Sequence, residues 1–335
     1  MQKLMRSSIV KSIVVFVVCV FTGKAQTTNN SELGYLLSDA LFYSEQYITP
    51  ATDAAVYQAS SSWMNSAKKK KKWQVDIGLH ANVFFVPNRD QSFDVDNNDF
   101  QFFHIENESA VTVPTAIGND TQYYLVGEFM GNEVRFKTPE GVNQKRIAYP
   151  YLQASLGLPL GFEFVGRYST RTKLKKGEYQ VYGFGLKHNF SQYFKSIEEN
   201  KIYFSAMAMY SNEEISFDFL NVSAANIDFG LDQLTGFVDT YHFQASVSKE
   251  IKKFEIMLSA IINTSDFKYR ADGSGRDENL FKNLINEQLT SLSDTKTNFM
   301  GEVGFNYFFN DFFVKSSFSF GKFTNINVGL NYAIN

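Results

Sequence analysis

Between Trp73 and Phe85 the chain alternates apolar and polar residues over a length that few soluble folds can use. The odd positions are Trp73, Val75, Ile77, Leu79, Ala81, Val83 and Phe85, and between them lie Gln74, Asp76, Gly78, His80, Asn82 and Phe84. Side chains on a strand point alternately to opposite faces, so this is a strand with one wholly apolar face and one nearly all polar. A globular strand averages about 5–6 residues, whereas a tilted strand that crosses a bilayer needs about 9–11.

The pattern recurs. Residues 148–158, 160–169, 179–190, 201–211, 237–249, 254–267, 298–309, 312–320 and 324–335 repeat it, giving ten strands with the first. Residues 87–149 hold shorter β-like pieces among Asn, Asp, Gly and Pro, and a hairpin from this region would raise the count to twelve. The expected fold is all-β: a transmembrane antiparallel β-barrel of 10–14 strands, twelve as the best guess, with a short N-terminal helical plug. Aromatics make up 16% of the chain, with 34 Phe and 18 Tyr, as expected where rings form girdles on a lipid-facing wall.

Ser12 to Phe21 is the longest apolar run, after Lys3, Arg6 and Lys11 and before Gly23-Lys24-Ala25. It is too short to span a bilayer as a helix, and reads as a secretory signal over 1–25, with Gln26 as the mature N-terminus. Cys19, the one cysteine, lies within it, so the mature chain has no thiol for a disulfide or a metal. Cleavage removes four cations and no acids, taking the formal charge from −3 to −7, which gives no reason to expect a nucleic-acid partner. Membrane lipid is the expected partner.

Residues 26–72 come before the barrel, which is expected over 73–335. Leu33, Leu36, Leu37, Ala40 and Leu41 have helical spacing, and Pro50 is expected to end that helix. The segment reads either as a plug inside the barrel or as a periplasmic cap. Lys68 to Lys72 then form an unbroken lysine run, read as solvated or as resting on anionic head groups. Connections 158–161, 249–253 and 310–311 are short, like periplasmic turns, and 191–200 looks helical. The longer 170–178, 212–236 and 268–297 read as outer loops, with 320–323 as a short outer turn.

The end of the chain, Asn327-Val328-Gly329-Leu330-Asn331-Tyr332-Ala333-Ile334, resembles the C-terminal signal by which outer-membrane barrels engage their assembly machinery, with Asn335 in place of the usual Phe. Other stretches resemble a family of outer-membrane barrels of Bacteroidota, distantly similar to outer-membrane transporters of long-chain fatty acids and aromatic hydrocarbons. These are Ser60-Ser61-Ser62-Trp63, Phe84-Phe85-Val86-Pro87-Asn88, Tyr149-Pro150-Tyr151-Leu152-Gln153 with Leu156-Gly157-Leu158-Pro159, and Tyr182-Gly183-Phe184-Gly185-Leu186-Lys187-His188. The resemblance implies a barrel in the outer membrane of a Gram-negative bacterium and brings no functional residues. The Asn-Pro-Ala hatch motif of the fatty-acid transporters is not evident.

Little in the chain points to catalysis. Asp94 to Asp99 has acidic oxygens at alternate positions, but lacks the glycine and glutamate of a calcium loop. The histidines His80, His104, His188 and His242 never pair at metal-ligand spacing. Neither an enzyme nor a cofactor is expected. The inward face mixes charges with methionines, which suit apolar sites of adaptable shape. The lumen candidates for a ligand are Glu163, Arg167, Met207, Met209, His242, Met257 and Met300. They serve either passive uptake of a small hydrophobic compound, with the methionines around a cavity, or a filled lumen in a structural or surface-interaction barrel.

Overall fold

The computed structural model of the protein describes residues 32–218, 223–224, 227–228, 232–273 and 280–334. The expected signal over 1–25 and the start of the mature chain lie outside them. Ten antiparallel strands form the wall: β1 (Val75–Phe85), β2 (Arg146–Gly157), β3 (Phe162–Tyr168), β4 (Gly177–Asn189), β5 (Ile202–Asp218), β6 (Gln233–Ile251), β7 (Phe254–Asp272), β8 (Thr295–Phe309), β9 (Phe312–Phe320) and β10 (Thr324–Ile334). Each pairs with its neighbours in sequence, and β1 pairs with β10 from Val75↔Ile334 to Phe85↔Thr324, which closes the barrel. Closure leaves no strand edge unpaired toward lipid, which a spanning sheet requires.

The register gives the two faces. Ile77, Leu79, Leu152, Phe184, Tyr241, Leu258 and Val328 are each close to half exposed on the outside, whereas Asp76, His80, Gln153, Glu163, Gln244 and Asn327 are buried inside. Strands β5 to β7 run 17, 19 and 19 residues against 9 and 11 for β9 and β10, so the wall is tall on one side. The upper parts of β5 to β7 carry Asn212, Glu214, Asp239 and Lys268 outward, beyond the length a bilayer covers. There the apolar outer stripe stops, and with it the signal that marked strand ends in the sequence.

The count is thus ten, at the lower end of the expected range, and the hairpin that would make twelve is not in the wall. Residues Tyr124–Phe129 and Asn132–Lys137 pair with each other, with 104–105 and with 223–224, in a small separate sheet; Ser92–Asp96 pairs with Ala110–Pro114. Apart from 223–224, which belongs to the β5–β6 connection, these pieces lie between β1 and β2 in the chain, and together they form a cap over the mouth where the long loops gather. The turns 158–161, 252–253 and 310–311, with the short helix Lys195–Glu199, lie at the opposite end.

A helix, α1, covers residues 32–60 and fills that mouth. It does not end before Pro50 as its sequence suggests. Pro50 has no N–H to give the Gln46 carbonyl, yet Ala51, Thr52, Ala54, Ala55, Val56, Tyr57, Gln58, Ala59 and Ser60 are all buried around and beyond it. Enclosure by the wall, with small residues that fit it, outweighs one missing backbone bond. Tyr43 and Tyr47 pack on Phe93, Phe136 and Phe217, and Asp39 accepts the backbone N–H groups of Gln101, Phe102 and Phe103 at 2.7–2.9 Å, tying helix to cap.

Candidate functional site

From Tyr57 the N-terminal segment descends the lumen, leaves helical geometry after residue 60 and reaches the far end at the lysine run. Irregular backbone in a dry interior has carbonyls that must find donors. The wall supplies them from inward side chains. Asn325 donates to the Tyr57 carbonyl at 3.2 Å and Tyr149 to that of Gln58 at 3.3 Å. Arg167 Nη1 donates to the carbonyls of Ala59 and Ser61 at 3.1 and 2.9 Å. Lys315 Nζ reaches those of Ser62 and Met64 at 2.9 and 2.8 Å, with Gln153 on Trp63 between them at 3.0 Å. Below, Asn306 donates to Asn65, Lys187 to Ser66 and Lys68, and both Asn189 and Ser205 to Ala67, at 2.6–3.1 Å.

Eleven of the twelve carbonyls from residue 57 to residue 68 are therefore held by the wall, from seven of its ten strands. Carboxylates hold donors of the same segment: Glu302 takes the Ser62 N–H at 2.7 Å, and Glu255 the Ser66 hydroxyl at 2.8 Å. Arg167 lies between the rings of Trp63 and Tyr151, 4.2 Å from each. Among the described residues neither Arg167 nor Lys315 has a carboxylate within ion-pair distance, so their charge is met mainly by these carbonyls and rings.

The side chains of the segment are enclosed as closely as its backbone. Trp63 and Met64 pack with Met207, Met209, Met257, Val165 and Tyr203. Gly183 faces them because there is no room for more: a Cβ there would come within 2.9 Å of the Trp63 ring, and one at Gly185 within 2.6 Å of Met207.

The sequence candidates separate into groups. Met207, Met209 and Met257 do converge, but on Trp63 and Met64; Met300 belongs to the other core, toward the mouth. Among the described residues hollows are formed elsewhere, such as one of about 420 Å³ at the lower mouth and another of about 530 Å³ on the lipid-facing wall. Met207, Met209 and Met257 line neither, and Met300 backs the second. Glu163 sits at the lower end between Lys70 and Lys187, whereas Arg167 grips the segment midway rather than facing an end of a passage. His242 Nε2 is 2.7 Å from Ser211 Oγ, but both are buried. The nearby Glu213 accepts from Thr240 instead of orienting the imidazole, so the pair lacks the base-orienting third group of a nucleophilic site. Asp96 and Asp99 accept backbone N–H groups of their own turn.

Lys315, Gln153, Asn306 and Asn189 were missed as site residues. Their parity carries the signal: in strand 312–320 a lone lysine shares the inward face with Ser317 and Ser319, which means a buried cation in need of an acceptor.

Comparison with known proteins gives the chain a family. It belongs to a family of unknown function, DUF6588, whose pattern it matches over residues 1–334. No curated protein matches it. Among solved structures it is similar to the translocator domain of the autotransporter NalP from Neisseria meningitidis, at 8% identity and TM-score 0.35, covering 86% of this chain and 95% of that one. It is similar also to an outer membrane channel from Pseudomonas putida F1, at 9% identity and TM-score 0.36, covering 79% and 97%. The Pseudomonas putida toluene transporter TodX gives 8% identity and TM-score 0.22, covering 82% and 95%. Overlays this loose carry no argument about function.

Proposed function

We propose that this protein is a structural or surface-interaction barrel of the Gram-negative outer membrane, with a lumen sealed by its own residues 57–68 and a folded cap presented outside. The wall's hold on eleven consecutive or near-consecutive carbonyls supports this above all else, because a conduit would not line its passage with donors already committed to a resident segment. On this reading the inward charges serve the segment, no residue acts in catalysis, the outer face meets lipid, and β10 is the strand offered to the assembly machinery.

A second reading, passive uptake of a small hydrophobic compound, is favoured by one arrangement. If residues 63–67 withdrew, Met207, Met209 and Met257 would border an apolar chamber. Permeation separates the two. Full-length protein in vesicles should pass neither a small sugar nor an aromatic hydrocarbon faster than protein-free vesicles do, while a folded barrel lacking residues 32–66 should pass the sugar. Hydrocarbon flux through the full-length protein would overturn the sealed-barrel reading in favour of uptake.

A further inference from the structure

The lysine run is not simply solvated. It forms one side of the hollow of about 420 Å³ at the lower mouth, a volume within the range of about 300–1,000 Å³ usual for small-ligand sites. The turn with Lys252 and Lys253 and the turn with Asn310 and Asp311 form other sides. Seven lysines and four carboxylates line it, an excess of three positive charges.

The excess is at the rim. Deep in the hollow Lys70 pairs with Asp76 and Glu163, and Lys187 with Glu163, all four side chains nearly buried, so the floor is neutral. Higher up, Lys68 pairs with Glu250 at 2.6 Å. Lys69, Lys252 and Lys253 are exposed and, among the described residues, make no ion pair. They approach the hollow from two elements, the N-terminal segment and the β6–β7 turn. Cations converging on a concave surface with a low-dielectric floor concentrate anions there, and lysine offers a compact charge suited to phosphate oxygens.

We propose that the lower mouth binds a phosphate-bearing anion between Lys69 and the Lys252–Lys253 turn. Such a ligand ties the segment that seals the lumen to the wall, and its site exists whether or not the lumen ever opens. Two sources carry this chemistry, a soluble phosphate compound and the head group of an anionic lipid.

Calorimetry on the full-length protein in neutral detergent, titrated with inorganic pyrophosphate, tests the first source. Nanodiscs containing phosphatidylglycerol, or phosphatidylcholine only, test the second through lipid retained by the protein. The exposed positions allow K69Q/K252Q/K253Q to fold, which circular dichroism and heat-modifiable migration check. Affinity should fall about fivefold for each lysine removed, and K145Q/K173Q at the other end of the barrel should bind as the unmodified protein does. Pyrophosphate binding that is lost in the triple variant supports a soluble ligand. Phosphatidylglycerol retention alone, lost in the same variant, supports the same site with lipid as the source. No binding of either, or equal binding by the triple variant, overturns the proposal.

Discussion

The two halves of the N-terminal segment are held in place by opposite means. Around residues 36–48 the helix is gripped through its side chains, with Tyr43, Tyr47 and Ile48 sunk into an aromatic and aliphatic core shared with the cap. From 57 to 68 the wall grips the backbone instead, through Arg167, Lys315, Lys187 and a set of amides. Apolar packing is non-directional, whereas a ladder of donors fixed in the wall must meet each carbonyl at hydrogen-bond distance and angle. The upper half therefore joins the segment to the cap, and the lower half, in which ten of twelve residues are buried, sets where the segment stops.

The sharpest break of this comparison is at Arg167. Arg167→Met removes donors to two carbonyls and to Gln153, and buried acceptors left unpaired cost about 1–3 kcal/mol each. We expect a loss of roughly 3–5 kcal/mol in denaturant unfolding from vesicles. A loss below about 1 kcal/mol would mean that the carbonyl ladder does not hold the segment.

Next in size is the lipid face. Leu79→Arg puts a cation into hydrocarbon and should cost about 2–4 kcal/mol. From parity alone Asn82→Arg should cost much less, because lumen positions of open barrels tolerate charge. Here Asn82 is fully buried beside a filled lumen, so its arginine should cost at least as much as that at Leu79. Equal unfolding of N82R and the unmodified protein would show a lumen with space to spare.

Those two positions also mark how much the sequence could tell. Alternation placed Leu79 outside and Asn82 inside, because a lipid-facing residue must be apolar and a one-residue slip would reverse every side chain. It could not tell what Asn82 faces. Whether an inward residue meets water or another chain segment depends on residues 57–68, which lack any period and so carry no local signal. Pro50 failed for a related reason: the rule that ended the helix there describes an exposed helix, and this one is enclosed. Parity puts Lys187 and Glu163 on the inward face, while the pairing of Glu163 with Lys70 arises from a lysine run that reads as solvent-facing.

On the cap side, Asp39→Asn should cost about 1–3 kcal/mol, the difference between a carboxylate accepting three backbone N–H groups and an amide oxygen that accepts fewer. Its effect should be local. Hydrogen exchange at Gln101, Phe102 and Phe103 should quicken while the barrel strands stay protected, since Asp39 touches the cap and not the wall. Barrel amides that quicken equally would show that cap and wall unfold together.

The smallest effect is the most discriminating. At Ser61 the carbonyl accepts from Arg167 at 2.9 Å, while the hydroxyl only donates to the Gln58 carbonyl three residues back, also at 2.9 Å. Ser61→Ala keeps the carbonyl and removes one neutral, local hydrogen bond. The Gln58 carbonyl keeps its bond from Tyr149, so no acceptor is orphaned and the cost should stay at or below about 1 kcal/mol. Arg167→Met thus removes the contact to the Ser61 carbonyl while Ser61→Ala leaves it in place, and the two should differ by severalfold in unfolding free energy. If instead they cost the same, the wall is reading the side chains of the segment and not its backbone, and the contrast between the two halves disappears.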